Sequence, residues 1–549
     1  MRGRYEMINT ASKLFQRLSA AACLLLFACC LLPAAYAQET TGAIQGTVTG
    51  PTGAMVAGAT VTATGDKLIK PAVSTTDSHG FYRLNALPPG NYTLTVSGSG
   101  MKAKATDLNL TAGALPNINF QLTASGTETV IDVSTDVALV DTTQSKVETT
   151  VTNQVLQEIP KGRSFQSVIP FAPGARQEPL QSAAPATSSV NGNLNGNRTG
   201  GFQIDGASDG ENVYTSEGVN VTGIVGGGVG YNVPMEFVQD VQVKSSSFEA
   251  EFGGAMGGVV NVIQQKGSSN WHGSFLMHYR SSGLSANDQC AWSSVCGLRK
   301  DPGTTVNSGT RTDQAAQYYV GKQDHFRTVN PGFTLGGPLL PNKLWLFSSY
   351  IPEFYRMRRD VTFTKTNPGP RSFYQSQDQH YGFARLDYSP ISKLRLFGSW
   401  EYLYTRLVGN NLPNPDSKTG QTNSSSTTDP TTFRADSGQV SPGAIYAFGG
   451  DYTITSNLLL SVRYGYLYNN AEDRGKTTGV KDVFDTGSGD GKGNGVVGLD
   501  GSTVPAAYQQ IQNYTNIGTN TQQKYNVLKR KSLSADISWL KTGWAGTHN

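Results

Sequence analysis

Apolar and polar residues alternate with a period of two along much of the chain after residue 270. In the first such run, the odd positions from Trp271 to Tyr279 are apolar, and the even positions from His272 to Arg280 are mostly polar. Similar runs occupy residues 394–405, 458–469 and 532–539. Successive side chains of a β-strand point to opposite faces, so each run predicts a strand with one apolar face. Runs of about ten residues with this alternation are typical of transmembrane β-strands.

The connections between these runs favour a membrane barrel, because a soluble β-sandwich would alternate without the same asymmetry of loops. The short turns are 336–343, 389–393 and 455–457, and the long polar loops between them are 281–325, 407–441 and 471–520. Outer-membrane barrels have short turns at one end and long loops at the other. We expect the aromatic residues to gather at one end of the strands as an interfacial girdle. His272 and His278 are expected to line the interior.

About eight strands fit between residues 271 and 549, whereas plugged outer-membrane transporters have about 22. An open sheet edge in lipid would leave backbone polar groups without partners. Residues 271–549 are therefore expected to form the N-terminal portion of an incomplete transmembrane β-barrel. On this expectation the function belongs to a longer parent chain.

Residues 41–122 contain short β-like runs separated by turn signals about every ten residues, which predicts a small antiparallel sandwich. The successive segments GTVT, VAGATV, TDSHGFYRL and LPPGNYTLTV resemble a carboxypeptidase regulatory-like domain. This resemblance implies a transthyretin-like sandwich, also described as carbohydrate-binding-like, and it implies no peptidase activity. Saccharide binding and a purely structural role both remain open for this domain.

Residues 141–267 carry a second set of motifs. The segments VLQEIP and GRSF, then FQIDGA, then FEAEFGGAMGGVVNVI resemble the plug of TonB-dependent outer-membrane receptors. The segment GFTLGGPLLPNKLWLFSSY resembles a barrel hairpin of Oar-like members of that family. Glycines in the last plug segment allow close backbone approach, which a domain packed inside a barrel requires. The residues that we take as the plug motif are Asp205, Gly206, Phe252, Gly253, Gly257, Gly258 and Asn261.

Residues 126–140 separate the sandwich from the plug, and two interpretations of this segment remain open. It is a plain linker, or it contains the TonB box that the family resemblance implies. Such a box adds as a strand to the periplasmic energy-coupling protein TonB, mainly through backbone hydrogen bonds. The candidate box is Thr129, Val130, Ile131, Asp132 and Val133.

The N-terminal segment predicts export. Residues 1–37 combine a basic start, an apolar stretch and the cleavage pattern Ala35-Tyr36-Ala37 before Gln38, as in a secretory signal peptide. A membrane anchor and a lipoprotein signal at Cys29 are the alternatives. Removal of the segment lowers the formal charge from +4 to about +1, which gives no reason to expect a nucleic-acid partner.

Only two cysteines remain after this cleavage, Cys290 and Cys296. In an exported protein such a pair predicts a small disulfide rather than a metal site. None of the six histidines has metal-site spacing, and the chain carries no motif of a nucleophilic enzyme. The sequence therefore predicts no enzyme activity and no cofactor. An oxygen-rich loop at 485–500 lacks EF-hand spacing and is expected to be a polar loop.

Charged residues form 15% and hydrophobic residues 37% of the chain, which is too apolar for wholesale disorder. The expected fold is all-β dominated: an N-terminal sandwich, a mixed α/β plug and an incomplete barrel. The resemblance implies a TonB-dependent receptor in the cell outer membrane that takes up a scarce, bulky nutrient. Its expected partners are outer-membrane lipid, TonB and an unknown extracellular ligand. The alternative is a non-transporting adhesin or signalling receptor, against which an occluding plug argues.

Overall fold

The computed structural model describes most of the chain from residue 40 onward. The described residues are 40–98, 100–122, 129–132, 147–159, 162–178, 201–248, 252–285, 296–300, 316–320, 324–363, 369–409, 412, 435–474, 484–485, 509–510 and 526–539. No helix within these ranges is long and apolar enough to cross a membrane.

An N-terminal sandwich comes first, and its strands alternate buried and half-buried residues as the period-two pattern requires. One sheet has the strand order β4-β1-β7, and the other has the order β3-β2-β5-β6-β8. Their inner faces share one core that includes Ile44, Tyr82, Leu94 and Phe120. The strands are β1 Gly42–Thr49, β2 Thr60–Gly65, β3 Ala72–Thr75, β4 Phe81–Leu87, β5 Gly90–Gly98, β6 Met101–Leu110, β7 Phe120–Gln121 and β8 Thr129–Asp132.

The plug, residues 147–264, is built on a five-stranded mixed sheet with the order β13-β12-β15-β14-β9. Almost every residue of β14 and β15 is buried, because both faces of this sheet are covered. Its strands are β9 Val147–Thr152, β10 Ala175–Gln177, β11 Phe202–Ile204, β12 Val213–Ser216, β13 Val219–Asn220, β14 Val238–Ser246 and β15 Val259–Gln264. Its helix is α1 Asn153–Glu158, and short 3-10 helices span Phe165–Phe171, Asp209–Glu211 and Met235–Phe237.

Nine of the described strands form one antiparallel sheet, here called the barrel sheet. Eight long strands follow the order β16-β19-β20-β21-β22-β23-β24-β28, and the short strand β25 pairs with β23. The strands of this region are β16 His272–Ser281, β17 Cys296–Lys300, β18 Ala316–Val320, β19 His325–Leu340, β20 Leu344–Phe363, β21 Gly369–Ile391, β22 Leu394–Val408, β23 Gly438–Thr455, β24 Leu458–Asn469, β25 Glu472–Arg474, β26 Phe484–Asp485, β27 Gln509–Gln510 and β28 Leu528–Trp539. A 3-10 turn spans Ser282–Leu284.

The two faces of the barrel sheet differ as the alternating runs predicted. The outward face exposes large apolar side chains, among them Phe275, Trp400 and Ile537. The inward face contacts the plug on strands from both ends of the sheet, because Glu236 lies 3.7 Å from His278 on β16 and Asn220 accepts a hydrogen bond from Arg530 on β28. The barrel sheet therefore wraps around the plug.

Two ends of the barrel sheet can be distinguished. Tight turns join β19 to β20, β21 to β22 and β23 to β24, and they define the short-turn end. The opposite, long-connection end carries the segments 282–324, 409–437 and 470–527. The expectation that aromatic residues gather at one end is wrong. Outward-facing Tyr388 and Tyr452 lie near the short-turn end, while Tyr404 and Tyr468 lie near the other end, since a membrane has two polar interfaces.

Candidate functional site

The Asp205–Gly206 pair of the plug motif forms a tight turn after β11. Both residues have positive φ, 50° and 86°, and the Ala207 N–H donates to the Ile204 carbonyl over 3.1 Å. Two consecutive positive φ values characterise a type I′ turn, which strongly favours Asp-Gly. At Asp205–Gly206 the motif therefore has a conformational role, because the turn reverses the chain next to the buried side chain of Ile204.

Gly257 and Gly258 let the following strand pack directly against that turn. A Cβ atom on Gly258 would lie 2.6 Å from Ile204 Cγ2, and one on Gly257 would lie 2.3 Å from Asn212 Oδ1. The Asn212 side chain joins both segments, since it donates to the Phe202 carbonyl over 2.7 Å and accepts from the Gly258 N–H over 2.9 Å. Any side chain at these glycines would force the two segments apart.

Asn261 lies in a buried hydrogen-bond chain across the plug sheet. It accepts from Thr215 Oγ1 over 2.9 Å and donates to Gln242 Oε1 over 2.8 Å. Gln242 in turn donates to the Ala112 carbonyl of the sandwich over 2.5 Å. The chain thus links plug and sandwich through polar groups that are all buried.

The remaining motif residues lie apart from that turn. Phe252 is buried, and the Lys244 ammonium group lies 4.6 Å from the centre of its ring. Gly253 is exposed beside it. The structure therefore brings together Asp205, Gly206, Gly257 and Gly258, whereas Phe252 and Gly253 belong to the adjoining loop.

A buried charge cluster joins the plug to the inward face of the barrel sheet, and we call it the plug–barrel joint. Its residues are Ser216, Glu217, Lys266, Arg385, Asp387 and Glu401. The Arg385 guanidinium lies 2.6 Å from the Glu217 carboxylate and 2.9 Å from that of Asp387. Ser216 Oγ donates to Glu401 Oε1 over 3.3 Å. Glu217 also accepts the Gln264 N–H over 2.6 Å.

Backbone geometry directs Glu217 into this joint. Glu217 and Gly218 form the two-residue turn between β12 and β13, with φ of 48° and 79°. A left-handed conformation is uncommon for glutamate and costs about 1–2 kcal/mol. Strain of this kind persists where the surroundings over-determine it, and it concentrates at functional positions. Here Glu217 is held by the contact with Arg385 and by the hydrogen bond from the Gln264 N–H.

Burial shifts the titration of two charged groups near the joint. It lowers the pKa of the Lys266 ammonium to about 7, although the Asp387 carboxylate acts in the opposite direction. It raises the pKa of Asp240 on β14 to about 7, and a backbone hydrogen bond from Asn153 and the charge of Lys266 partly offset this rise. Both shifts disfavour the charged form, as expected for groups removed from water.

The sandwich is docked on the short-turn end of the barrel sheet. Lys70 Nζ donates to the Pro390 carbonyl over 2.5 Å, and Asn85 Nδ2 donates to the Ser456 carbonyl over 3.0 Å. Arg395 of β22 donates to the Ala86 carbonyl. The β2–β3 loop and the end of β4 therefore make polar contacts with the turns at 389–393 and 455–457 and with the start of β22, and the sequence did not reveal this contact.

The candidate TonB box lies within the sandwich sheet rather than outside both domains. Residues Thr129 to Asp132 form β8, which pairs in parallel with Ala103 to Thr106 of β6. No other described strand pairs with the far side of β8, so it is the edge of the five-stranded sheet. Val133 lies outside the described residues. An edge strand presents unpaired N–H and C=O groups to a further strand.

Other predicted features fall partly outside the described residues. Cys290 lies outside them, and Cys296 begins β17, so the disulfide stays a prediction. The signal segment 1–37 and most of the loop at 485–500 also lie outside. Within the described ranges, no group of three or more His, Cys, Asp or Glu residues could hold a metal ion. His272 and His278 lie on the inward face, as predicted.

An occluding domain wrapped by an antiparallel sheet with short turns at one end defines the architecture of a plugged outer-membrane receptor. Comparison with known proteins agrees with it. Residues 43–123 match the carboxypeptidase regulatory-like domain. The TonB-dependent transporter Oar of Myxococcus xanthus is 27% identical over 340 residues, which cover 60% of this chain and 28% of that protein. The ferrienterobactin receptor of Escherichia coli strain K12 is 28% identical over 165 residues, which cover 30% of this chain and 18% of that protein.

Among solved structures, the outer membrane transporter YddB from Escherichia coli matches with a TM-score of 0.43 and 13% identity, over 60% of this chain and 39% of that one. The family model and the two sequence relatives carry the assignment: residues 43–123 are a carboxypeptidase regulatory-like domain, and the chain is similar to TonB-dependent outer-membrane receptors. The resemblance inferred from its motifs is confirmed. The match spans only about 28% of the length of the Oar transporter.

Proposed function

We propose that this chain belongs to a receptor that takes up a scarce, bulky nutrient across the outer membrane and uses energy delivered by TonB. The observation that carries this proposal is the plug itself, a separate sheet packed inside the barrel sheet and fixed to it by a buried ion pair between Glu217 and Arg385. An adhesin or a passive anchor needs no such domain. A gated transporter needs one, because the pathway must stay closed until energy is supplied.

The proposal assigns the two ends of the barrel sheet. The short-turn end, where the sandwich is docked, faces the periplasm, and the long-connection end faces the exterior and captures the ligand. On this assignment β8 lies on the periplasmic side, where TonB is found. Its free edge supports the TonB-box interpretation, because TonB could extend the sandwich sheet by one strand.

The test is binding of the full chain to the purified periplasmic domain of TonB. Successive N–H groups of a strand point to opposite sides, so prolines at positions 130 and 131 remove donors from opposite edges of β8. We expect Ile131→Pro and Val130→Pro together to abolish binding, because proline also fixes φ and disturbs the strand. Alanine at the same positions keeps every N–H and should leave binding unchanged.

If binding survives both prolines, the TonB-binding segment lies elsewhere in the chain and β8 is a plain linker strand. No binding by the unaltered chain would contradict TonB coupling. That result would favour the non-transporting receptor with a carbohydrate-binding-like domain.

A further inference from the structure

An open cleft of about 640 Å³ lies at the long-connection end of the barrel sheet. Side chains of three adjacent strands line it: His325, Arg327, Arg356, Arg358, Tyr374 and Ser376. The strand register places these residues side by side, because His325 is opposite Arg358 and Arg327 is opposite Arg356.

These side chains point away from the plug. On β20 the inward positions are odd, as the buried Phe347 and Ile351 in the plug core show, and Arg356 and Arg358 are even. On β19 the inward positions are even, since Asn330 donates to inward Glu353 over 2.8 Å, and Arg327 is odd. The cleft therefore lies on the outer wall of the barrel sheet, off any route past the plug.

The cleft has an excess of positive charge. Arg356 pairs with Asp378 at 2.5 Å, and Arg358 pairs with Asp360 at 3.3 Å. Arg327 is exposed and has no ion-pair partner among the described residues, although it stands directly opposite Arg356. Like charges at directly opposed positions destabilise a sheet. An anion bound beside Arg327 would give this guanidinium a partner and reduce its repulsion with Arg356.

The apolar band of the outward face begins next to the cleft. Along β19, the outward positions after Arg327 lead to the exposed side chains of Phe333 and Leu335, and Tyr350 is exposed on β20. Tyr374, which is 64% exposed, lines the cleft itself. Basic and aromatic side chains at the margin of an apolar band are characteristic of the headgroup level of a membrane.

We infer that this cleft binds the phosphate group of an anionic lipid of the outer leaflet, with the acyl chains along the neighbouring apolar band. The inference rests on the proposed membrane location. Guanidinium groups bind phosphate through paired, parallel hydrogen bonds. Arg327 and Arg356 are directly opposed, so one phosphate can contact both, and Arg358 and His325 lie on the exterior side of them.

The test is native mass spectrometry of the delipidated full chain in detergent micelles. The probes are phosphatidic acid, diacylglycerol with the same acyl chains, and inorganic phosphate. The unaltered chain is expected to retain one phosphatidic acid, but neither diacylglycerol nor inorganic phosphate at the same concentration. Arg327→Gln should weaken retention about tenfold, since each charge-assisted pair contributes strongly. Arg327→Lys keeps the charge but loses the paired geometry, and should be intermediate.

Lys531→Gln is the matched control, because Lys531 is exposed on the same face and near the same end but lies on β28, outside the cleft. It should change retention less than about twofold, as expected for an isolated exposed charge. Equal retention of diacylglycerol, or unchanged retention in Arg327→Gln, would overturn the inference. Inorganic phosphate bound as tightly would assign the cleft to a free anion. TonB binding is measured separately, so either proposal can fail without the other.

Discussion

Removal of the Arg385 guanidinium should release the plug from the barrel sheet at the plug–barrel joint. In Arg385→Met the carboxylates of Glu217 and Asp387 lose their shared cation, which lies 2.6 Å from the first and 2.9 Å from the second. The site is buried, since the Glu217 side chain is only 3% exposed. The Phe397 ring, 4.6 Å from the guanidinium carbon, also loses a cation–π contact. Breaking a buried pair by removing one partner costs about 3–5 kcal/mol of unfolding free energy.

Substitution of Glu217, the acidic partner in the same ion pair, should lower the unfolding free energy by less than Arg385→Met does. In Glu217→Gln, Arg385 keeps Asp387, and the amide oxygen can still accept the Gln264 N–H. A loss of about 1–3 kcal/mol is expected, typical of one weakened buried hydrogen bond. The double variant should cost less than the sum of the two, with a coupling energy of about 0.5–3 kcal/mol, because both remove the same contact.

Urea unfolding of the full chain in detergent micelles gives these free energies. The matched control is Arg474→Met, which breaks a pair with Glu472 at 3.1 Å whose arginine is 57% exposed. That exposed pair should contribute about 0–1 kcal/mol to the unfolding free energy. If Arg385→Met costs no more than Arg474→Met, the buried pair does not hold the plug, and the reasoning about the joint is refuted.

The cysteine pair, the signal cleavage and the titration of Asp240 can each be tested directly. Mass spectrometry without reductant should find Cys290 linked to Cys296, and two free thiols in envelope-purified protein would contradict this. N-terminal sequencing of the exported protein should begin at Gln38, whereas a lipidated start at Cys29 would exclude the assigned cleavage. Burial raises the pKa of Asp240 to about 7. Between about pH 4 and 7 the Asp240 carboxyl is therefore protonated in the folded state but ionised in the unfolded state. The unfolding free energy should fall as pH rises through that window. Asp240→Asn should flatten this pH dependence, and an unchanged slope would show that another group causes it.

The strands and their faces could be predicted from the sequence because the alternation is strictly local. Phe275, Trp400 and Ile537 are exposed on the outward face, as their positions in the runs required. The Asp205–Gly206 turn was not predicted, since the pair was taken only as part of the plug motif, although Asp-Gly is itself a local signal for a type I′ turn.

The plug–barrel joint was not predicted, because its residues are distant in the chain. A partial signal existed. Glu217–Gly218 lies between two β-branched runs, as a two-residue hairpin turn does, and Arg385 and Asp387 share one face of a strand at a spacing of two. Which charge meets which depends on how the sheet wraps around the plug, and local spacing does not determine that.

The placement of β8 also depends on tertiary structure. An extended β-branched segment fits a linker and an edge strand equally well, and its pairing with β6 decides between them only in the folded sandwich. Edge strands are especially ambiguous in sequence, because only one side of their hydrogen-bonding groups is used.

The most direct test of energy-coupled opening is the accessibility of Ser216, which is buried at the plug–barrel joint. Ser216→Cys would be made in a chain whose two native cysteines are replaced by serine. Cells that carry this protein in the outer membrane would then be treated with a membrane-impermeant maleimide. Val225→Cys, at an 82% exposed position of the plug, is the matched control for labelling. We expect Ser216→Cys to react only in energised cells that contain TonB. Equal labelling in cells that lack TonB, or after an uncoupler is added, would contradict energy-coupled opening of the plug.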